Sequence, residues 1–511
     1  MADMGTVHSA GRPSAAPRPG ASAHEPSGIP LGSRQLAALL PALTGPAAGD
    51  RPAYRVLAQA IRALVLDGRI ALRVKLPAER ELATTLALSR ATVTAAYDLL
   101  RESGYARSRR GSGTWTVLPE GHRHTGLDRL ARPDSAIDLS NAVGGLAADV
   151  LTDALAEIAP LAAQHAHTPG YHPYGLPELR AAVAERYTRR GLPTRPEQIL
   201  ITSGALQALG LALGMLCGPG DRVLVENPTY TNALDAIRRA RTRTVPVAVA
   251  DDGWDLEIIE STLRQAVPRL AYMIPYFHNP TGNLMPPAQR AELIRATQRS
   301  STWLVADETI ADLALDVPAP APFASHAERG GADHVITIGS MSKSHWGGLR
   351  IGWLRATPRL VTELAGVRVS MDMAGSVIDQ LVALPLLRRM DELVAARVAE
   401  ARARRAALVA ALVRDLPEWS WRLPPGGLSL WVDLGEPIAT ALADRAAGYG
   451  VRIEGGSRFG AEPGTFEHRL RLPFTLPSGT LDEAVQRVAL ALHDTAGRPL
   501  ASAVSRPHWM A

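Results

Sequence analysis

The residues best suited to covalent chemistry gather in one short stretch, GSMSKSHWGGLRIGW, over 339–353. Lys343 is one of only two lysines, the other being Lys75, so 53 of the 55 basic residues are arginine. A guanidinium stays protonated and is no usable nucleophile, which makes a position kept as lysine a candidate for a Schiff base with an aldehyde. Lys75 is a reminder that a lysine also survives for other reasons. Ser340 and Arg350 flank Lys343 with a hydroxyl and a guanidinium, groups that hold a phosphate, so the stretch suits a phosphate-bearing aldehyde. Upstream, Asn279 in HNPTG could hydrogen-bond a phenolate-type ring oxygen. Asp307 ends the run STWLVAD, where a carboxylate would pair with a protonated ring nitrogen.

Short apolar runs position these groups. They are QILITSG at 198–204, DRVLVENP at 221–228, RLAYMIPYFHNP at 269–280, STWLVADE at 301–308 and HVITIGS at 334–340. Each ends in polar or glycine residues and is followed by a longer amphipathic stretch, the pattern of buried parallel strands with ligand loops at their carboxyl ends. A large α/β domain over 137–495 is expected. In order and content, these motifs resemble the fold-type I aminotransferases that bind pyridoxal 5′-phosphate.

That resemblance implies a mixed, mostly parallel sheet, no metal, and further site residues. The backbone amides of Ala205 and Leu206 in ITSGALQAL would take the phosphate, as helix N-termini do. Tyr230 in ENPTY would stack on the pyridine ring, and Tyr171 in GYHPYG would reach the neighbour's phosphate across a homodimer interface. Arg471 in LRLPF would take the carboxylate of an amino-acid ligand. One departure is visible: the aminotransferase pattern has tyrosine three residues after the ring-nitrogen aspartate, and Ile310 stands there. Asn279 is then the remaining partner of the ring oxygen unless Thr309 reaches it. Cofactor binding is expected to survive this change, whereas transamination is expected to be slow or residual.

Charge singles out a second region. Of the 55 basic and 50 acidic residues, twelve basic and five acidic lie within 51–117, leaving the rest of the chain slightly acidic. Such a localised excess suits double-stranded DNA as a partner. Within it, ERELATTLA and SRATVTAAYDLLRESG have helix-turn-helix spacing, with Ser89 placed to cap the second helix, and ARSRRGSGTW reads as a basic hairpin. The segment 54–117 resembles the winged helix-turn-helix of the GntR family of bacterial regulators. By that resemblance Arg80, Ser89, Arg90 and Thr92 are DNA contacts, with Arg110 and Gly111 at the wing tip. Where the family has glycine ahead of the Leu-Pro pair, this chain has Arg73.

The remaining composition bounds the organisation. Apolar residues make up 46% of the chain, enough for ordinary globular cores, and the single cysteine, Cys217, excludes an intrachain disulfide and a cysteine-based zinc site. No stretch approaches the roughly 18 consecutive apolar residues of a membrane span, so a cytoplasmic protein without membrane attachment is expected. The expected layout is a disordered tail (1–32), a DNA-binding domain (33–117, core 51–117), a linker (118–136), the cofactor-binding domain (137–495) and a C-terminal tail (496–511). A GntR-type module linked to an aminotransferase-like domain resembles the MocR subfamily of transcriptional regulators. It implies a DNA-binding regulator that uses pyridoxal phosphate as effector or as part of an amine or amino-acid sensor. The alternatives are a working aminotransferase with an accessory DNA-binding domain, and a scaffold that binds DNA without cofactor.

Overall fold

The computed structural model describes residues 31–40, 52–117 except 68, 71, 73 and 110–112, and 136–496 except 329 and 463. Nearly all of the expected tails and of the expected linker fall outside the described residues.

The N-terminal module contains α1 (Ser33–Leu39), α2 (Ala53–Leu66), α3 (Glu79–Leu86), α4 (Arg90–Glu102), β1 (Ala106–Arg109) and β2 (Gly113–Thr116). Leu57, Ile61 and Leu64 recur at helical spacing on α2 and are buried with Val93, Ala96, Tyr97 and Leu100 of α4. Ala87 in the left-handed conformation (φ 53°) ends α3, and two residues later Ser89 starts α4 by accepting the Thr92 N–H at 3.0 Å. The hairpin pairs Ala106 with Thr116. Lys75 bridges to Trp115 and lays its side chain across Gly113, whose φ of +105° and missing Cβ leave it the room. The first helix, α1, ends at Leu39, and residues 41–51 lie outside the described residues.

The large unit continues with β3 (Ile137–Asp138), α5 (Ala148–His165), α6 (Pro177–Arg189), β4 (Ile199–Thr202), α7 (Ala205–Leu216), β5 (Arg222–Asn227), α8 (Thr231–Arg239), β6 (Arg243–Ala250), β7 (Gly253–Trp254), α9 (Leu256–Ala266), β8 (Leu270–Met273), α10 (Pro287–Arg299) and β9 (Trp303–Asp307). After these come β10 (Val335–Ser340), α11 (Met341–Ser344), β11 (Gly352–Arg355), α12 (Pro358–Val369), α13 (Val377–Arg388), α14 (Met390–Asp415), β12 (Ser420–Trp421), β13 (Ser429–Asp433), α15 (Ala439–Gly448), β14 (Val451–Arg452), β15 (Glu454–Gly455), β16 (Arg469–Pro473) and α16 (Ser478–Ala496).

Eight strands form the main sheet in the order β4-β11-β10-β9-β8-β5-β6-β7. From β10 to β6 all neighbours are parallel, while β11 and β7 run antiparallel to theirs. Helices cover both faces: Leu224, Ala271 and Leu304 pack into one core and Val223, Tyr272 and Val305 into the other, which is why these strands read as unbroken apolar runs. A smaller sheet, β12-β13-β16-β15, packs with α14 and α16, and β3 pairs with β14.

Two strand readings differ from expectation. The run 198–204 gives β4, but its sheet partner is the antiparallel β11, which inserts between β4 and β10. The run 269–280 is a strand only to Met273; Pro275 and Pro280 have no N–H to donate to a ladder.

Replacing Ser89 with alanine removes the α4 cap and is expected to destabilise the module by about 1 kcal/mol. A thermal melt followed by circular dichroism checks this; a melt unchanged from wild type would contradict it.

Candidate functional site: a lysine cavity beneath the sheet ends

A cavity of about 540 Å3 opens at the carboxyl ends of β4, β9 and β10. β10 runs to Ser340 and turns into the single turn α11, whose third residue is Lys343. Ser340 Oγ accepts the Ser342 N–H at 3.2 Å and lies 3.0 Å from Ile351 O, fixing this turn against the returning chain. Lys343 Nζ donates to Ala142 O at 2.9 Å. Burial, seconded by the charge of Arg471, pushes the Lys343 amine down to about 8, against the pull of Asp307.

Asp307 ends β9 and is buried. Burial raises its pKa, while Thr309, Tyr272 and the Lys343 charge act in the opposite direction. The Thr309 N–H reaches Asp307 Oδ1 at 2.9 Å, and the Tyr272 hydroxyl donates to Oδ2 at 2.7 Å. Sequence reasoning missed Tyr272. Its signal was the β8/β9 register, which pairs Tyr272 with Val305 and so places it on the same face as Asp307.

At one end of the cavity Gly204 adopts φ +96° and opens α7, whose first amides, Ala205 and Leu206, have no intrahelical acceptor by position. Arg350, itself left-handed at φ 53°, donates to Ser203 O at 2.7 Å and lies so near Gly204 that a Cβ there would sit 3.1 Å from its guanidinium. Gly352 is needed as well, because a Cβ on it would meet the Gly204 carbonyl carbon at 2.6 Å. At the other end Arg471 is buried, hydrogen-bonds Ser140 O and Asn279 Oδ1 (3.3 Å), and stacks over the Phe459 ring at 4.8 Å. Tyr230 and Ile310 also line the cavity.

The structure thus brings Ala205, Leu206, Tyr230, Asn279, Asp307, Ser340, Lys343, Arg350 and Arg471 to one cavity. Tyr171 lies outside it, 65% exposed on the surface. In the N-terminal module Arg80, Ser89 and Arg90 are exposed and Thr92 is half-buried; the Ser89 hydroxyl is engaged in the cap. Arg110, Gly111 and Arg73 lie outside the described residues. Arg107, exposed on β1, is a cation on the hairpin that the sequence reading did not single out.

Comparison with known proteins agrees with both halves. Residues 139–488 match the family model for aminotransferase class I and II, and residues 53–115 that for bacterial regulatory proteins of the gntR family. The uncharacterized HTH-type transcriptional regulator YisV of Bacillus subtilis is 29% identical over 75% of this chain and 84% of its own length. The probable rhizopine catabolism regulatory protein MocR of Rhizobium meliloti is 32% identical, over 61% of this chain and 66% of its own. Among solved structures, the α-aminoadipate aminotransferase LysN of Thermus thermophilus, complexed with N-(5′-phosphopyridoxyl)-L-leucine, superposes with a TM-score of 0.67 at 28% identity, over 74% of this chain and 96% of LysN. The chain belongs to the aminotransferase class I and II family and carries a segment matching the gntR family ahead of it, an arrangement consistent with the MocR subfamily. The cofactor of this aminotransferase fold is pyridoxal 5′-phosphate.

The donor set here fits that group: amides, a serine and an arginine for a phosphate, a lysine amine for an aldehyde, and a buried carboxylate for a ring nitrogen. Because the neutral amine is the nucleophile, capture of pyridoxal phosphate by the apo protein should accelerate as pH rises, with a midpoint near 8. Arg471→Met removes a charge that lowers the lysine and should move the midpoint upward. Stopped-flow absorbance measures both; a wild-type midpoint near 10, that of an ordinary lysine, would contradict the assignment.

Proposed function

We propose that this chain is a cytoplasmic, DNA-binding transcriptional regulator whose large domain binds pyridoxal 5′-phosphate, as effector or as part of a sensor of amines or amino acids. The observation that carries it is one chain holding both an exposed, arginine-bearing helix-turn-helix and a cavity in which Lys343, Asp307 and Arg471 converge. Among the described residues no helix is long and apolar enough to cross a membrane.

The cofactor, when bound, supplies an aldehyde and an electron-withdrawing ring. Ser340, Arg350 and the amides of Ala205 and Leu206 hold its phosphate. Asp307, steadied by Tyr272 and Thr309, keeps a proton on the ring nitrogen. Asn279 bonds the ring oxygen, Tyr230 covers the ring face, and Arg471 takes a ligand carboxylate. On the DNA side, Arg80 and Arg90 neutralise phosphates, and the exposed start of α4 enters the major groove. Ile310 offers no hydroxyl to the cavity, which argues for binding over turnover. The second reading, a working aminotransferase, is favoured by the completeness of the Lys343, Asp307 and Arg471 set.

A homodimer is part of the proposal. Leu206, Met371 and Met373 are exposed apolar residues, and the hydrogen bond from Gln207 to Asp372 draws together the segments that carry them. Tyr171 would complete the neighbour's phosphate site. Sedimentation at micromolar concentration should give a dimer with cofactor bound, and a monomer would overturn this part.

Each phosphate contact adds about 0.9 to the slope of log affinity against log salt, so Arg80→Ala with Arg90→Ala should flatten the slope by about 2. The functional reading is tested by DNA affinity in apo form, with pyridoxal phosphate, and with candidate amines added, beside a transaminase assay. Affinity that changes between states with slow or no turnover supports the regulator; equal affinity with rapid multiple turnover establishes the enzyme instead.

A further inference from the structure

The segment 466–471 has two attachments. On one side it grips the DNA-binding module. Leu66 O, a carbonyl in the last turn of α2 with no partner inside its helix, accepts the Phe466 N–H at 2.6 Å. The next residue, Asp67, places Oδ1 2.7 Å from His468 Nε2, and both side chains are largely shielded, at 29% and 13% exposure. His468 Nε2 also lies 3.2 Å from Arg469 Nε, the first residue of β16.

On its other side the same segment builds the cavity wall. Phe466, buried in the left-handed conformation (φ 61°) that bulky side chains rarely adopt, meets Trp431 edge to face at 6.1 Å. Trp431 meets Phe459 at 5.6 Å, and Phe459 carries the Arg471 guanidinium. Glu467, between the two gripping residues, takes the Thr440 N–H at 3.1 Å and its hydroxyl at 2.7 Å. Thr440, Phe459 and Arg471 all line the cavity.

We propose that the contacts Leu66–Phe466 and Asp67–His468 are a clasp through which occupancy of the Arg471 end of the cavity controls the placement of the DNA-binding module. The inference rests on the regulator reading and names its route. Arg471 is held by Ser140 O, Asn279 and the Phe459 ring. A carboxylate drawing it off that ring changes the support of Trp431 and Phe466, two residues short of the histidine that holds α2. A ligand shifts such an equilibrium only if it binds the clasped and released arrangements with different affinity, and Arg471 is a group whose partners change on occupancy. The clasp is small, one backbone hydrogen bond and one side-chain contact, which leaves it within reach of a ligand's binding energy.

The test uses the full-length protein and a duplex taken from the DNA flanking its own coding region. DNA affinity is measured without ligand, with pyridoxal phosphate, and with pyridoxal phosphate plus L-leucine, L-glutamate or γ-aminobutyrate. Coupling of this kind amounts to about 5–150-fold in affinity. Asp67→Asn and His468→Gln are each expected to shrink the wild-type response to below about twofold. The double variant should add nothing to either, because the two residues form one contact. Cofactor loading, read by absorbance, should stay at the wild-type level in all three, since neither residue lines the cavity. A wild type that responds while all three variants respond as fully overturns the clasp and leaves the regulator reading standing. A wild type whose DNA affinity is the same with every ligand overturns both. Loss of cofactor loading in the variants would mean that the segment merely supports the fold, which also overturns the proposal.

Discussion

A lysine amine and a buried aspartate facing the same cavity set the terms for the rest of the large domain. Neither charge is cheap to bury, and each is tolerable because the other, together with directed hydrogen bonds, stands near it. The parallel register of β9 and β10 aligns Asp307 with Ile338, so β10 runs two residues further before turning at Ser340 into the Lys343 helix. The chain then doubles back as β11, with Gly352 opposite Ser340, which returns Arg350 to the same corner. Glycines at 204 and 352 are the condition for this return, because side chains there would push the start of α7 away from Arg350.

The N-terminal module obeys a different constraint. Its core is four helices and a hairpin around Leu57, Ile61, Val93 and Tyr97, with its charge on the outside. The second lysine has a local explanation in this setting: Lys75 is a backbone partner of Leu31 and Trp115, with a side chain lying over Gly113. Its structural employment strengthens the case that the chemistry belongs to Lys343, whose amine lines the cavity and is displaced toward its neutral form.

Most of the cavity was legible in the sequence because ligand groups sit where apolar runs stop, and a run's end is visible without knowing its neighbours. Ser340, Asp307 and Asn279 were singled out this way, Lys343 by the scarcity of lysine in the chain, and Ser89 by the start signal of its helix. What depended on pairing was not legible. Tyr272 reaches Asp307 only because β8 and β9 align in one register, and Lys343 bonds a carbonyl 201 residues away in sequence. The antiparallel insertion of β11 beside β4 and the docking of Leu66 on Phe466 are likewise tertiary outcomes. Tyr171, singled out for a site across an interface, stands on the surface of the single chain.

The central claim, that this cavity is built around a covalently reactive lysine, is tested most directly by borohydride reduction of the protein loaded with pyridoxal phosphate, followed by peptide mapping. With two lysines in the chain the outcome is unambiguous. The account predicts a yellow protein that bleaches on reduction, with one pyridoxyl group per chain on the peptide containing Lys343. An adduct on Lys75, or none at all, would contradict it.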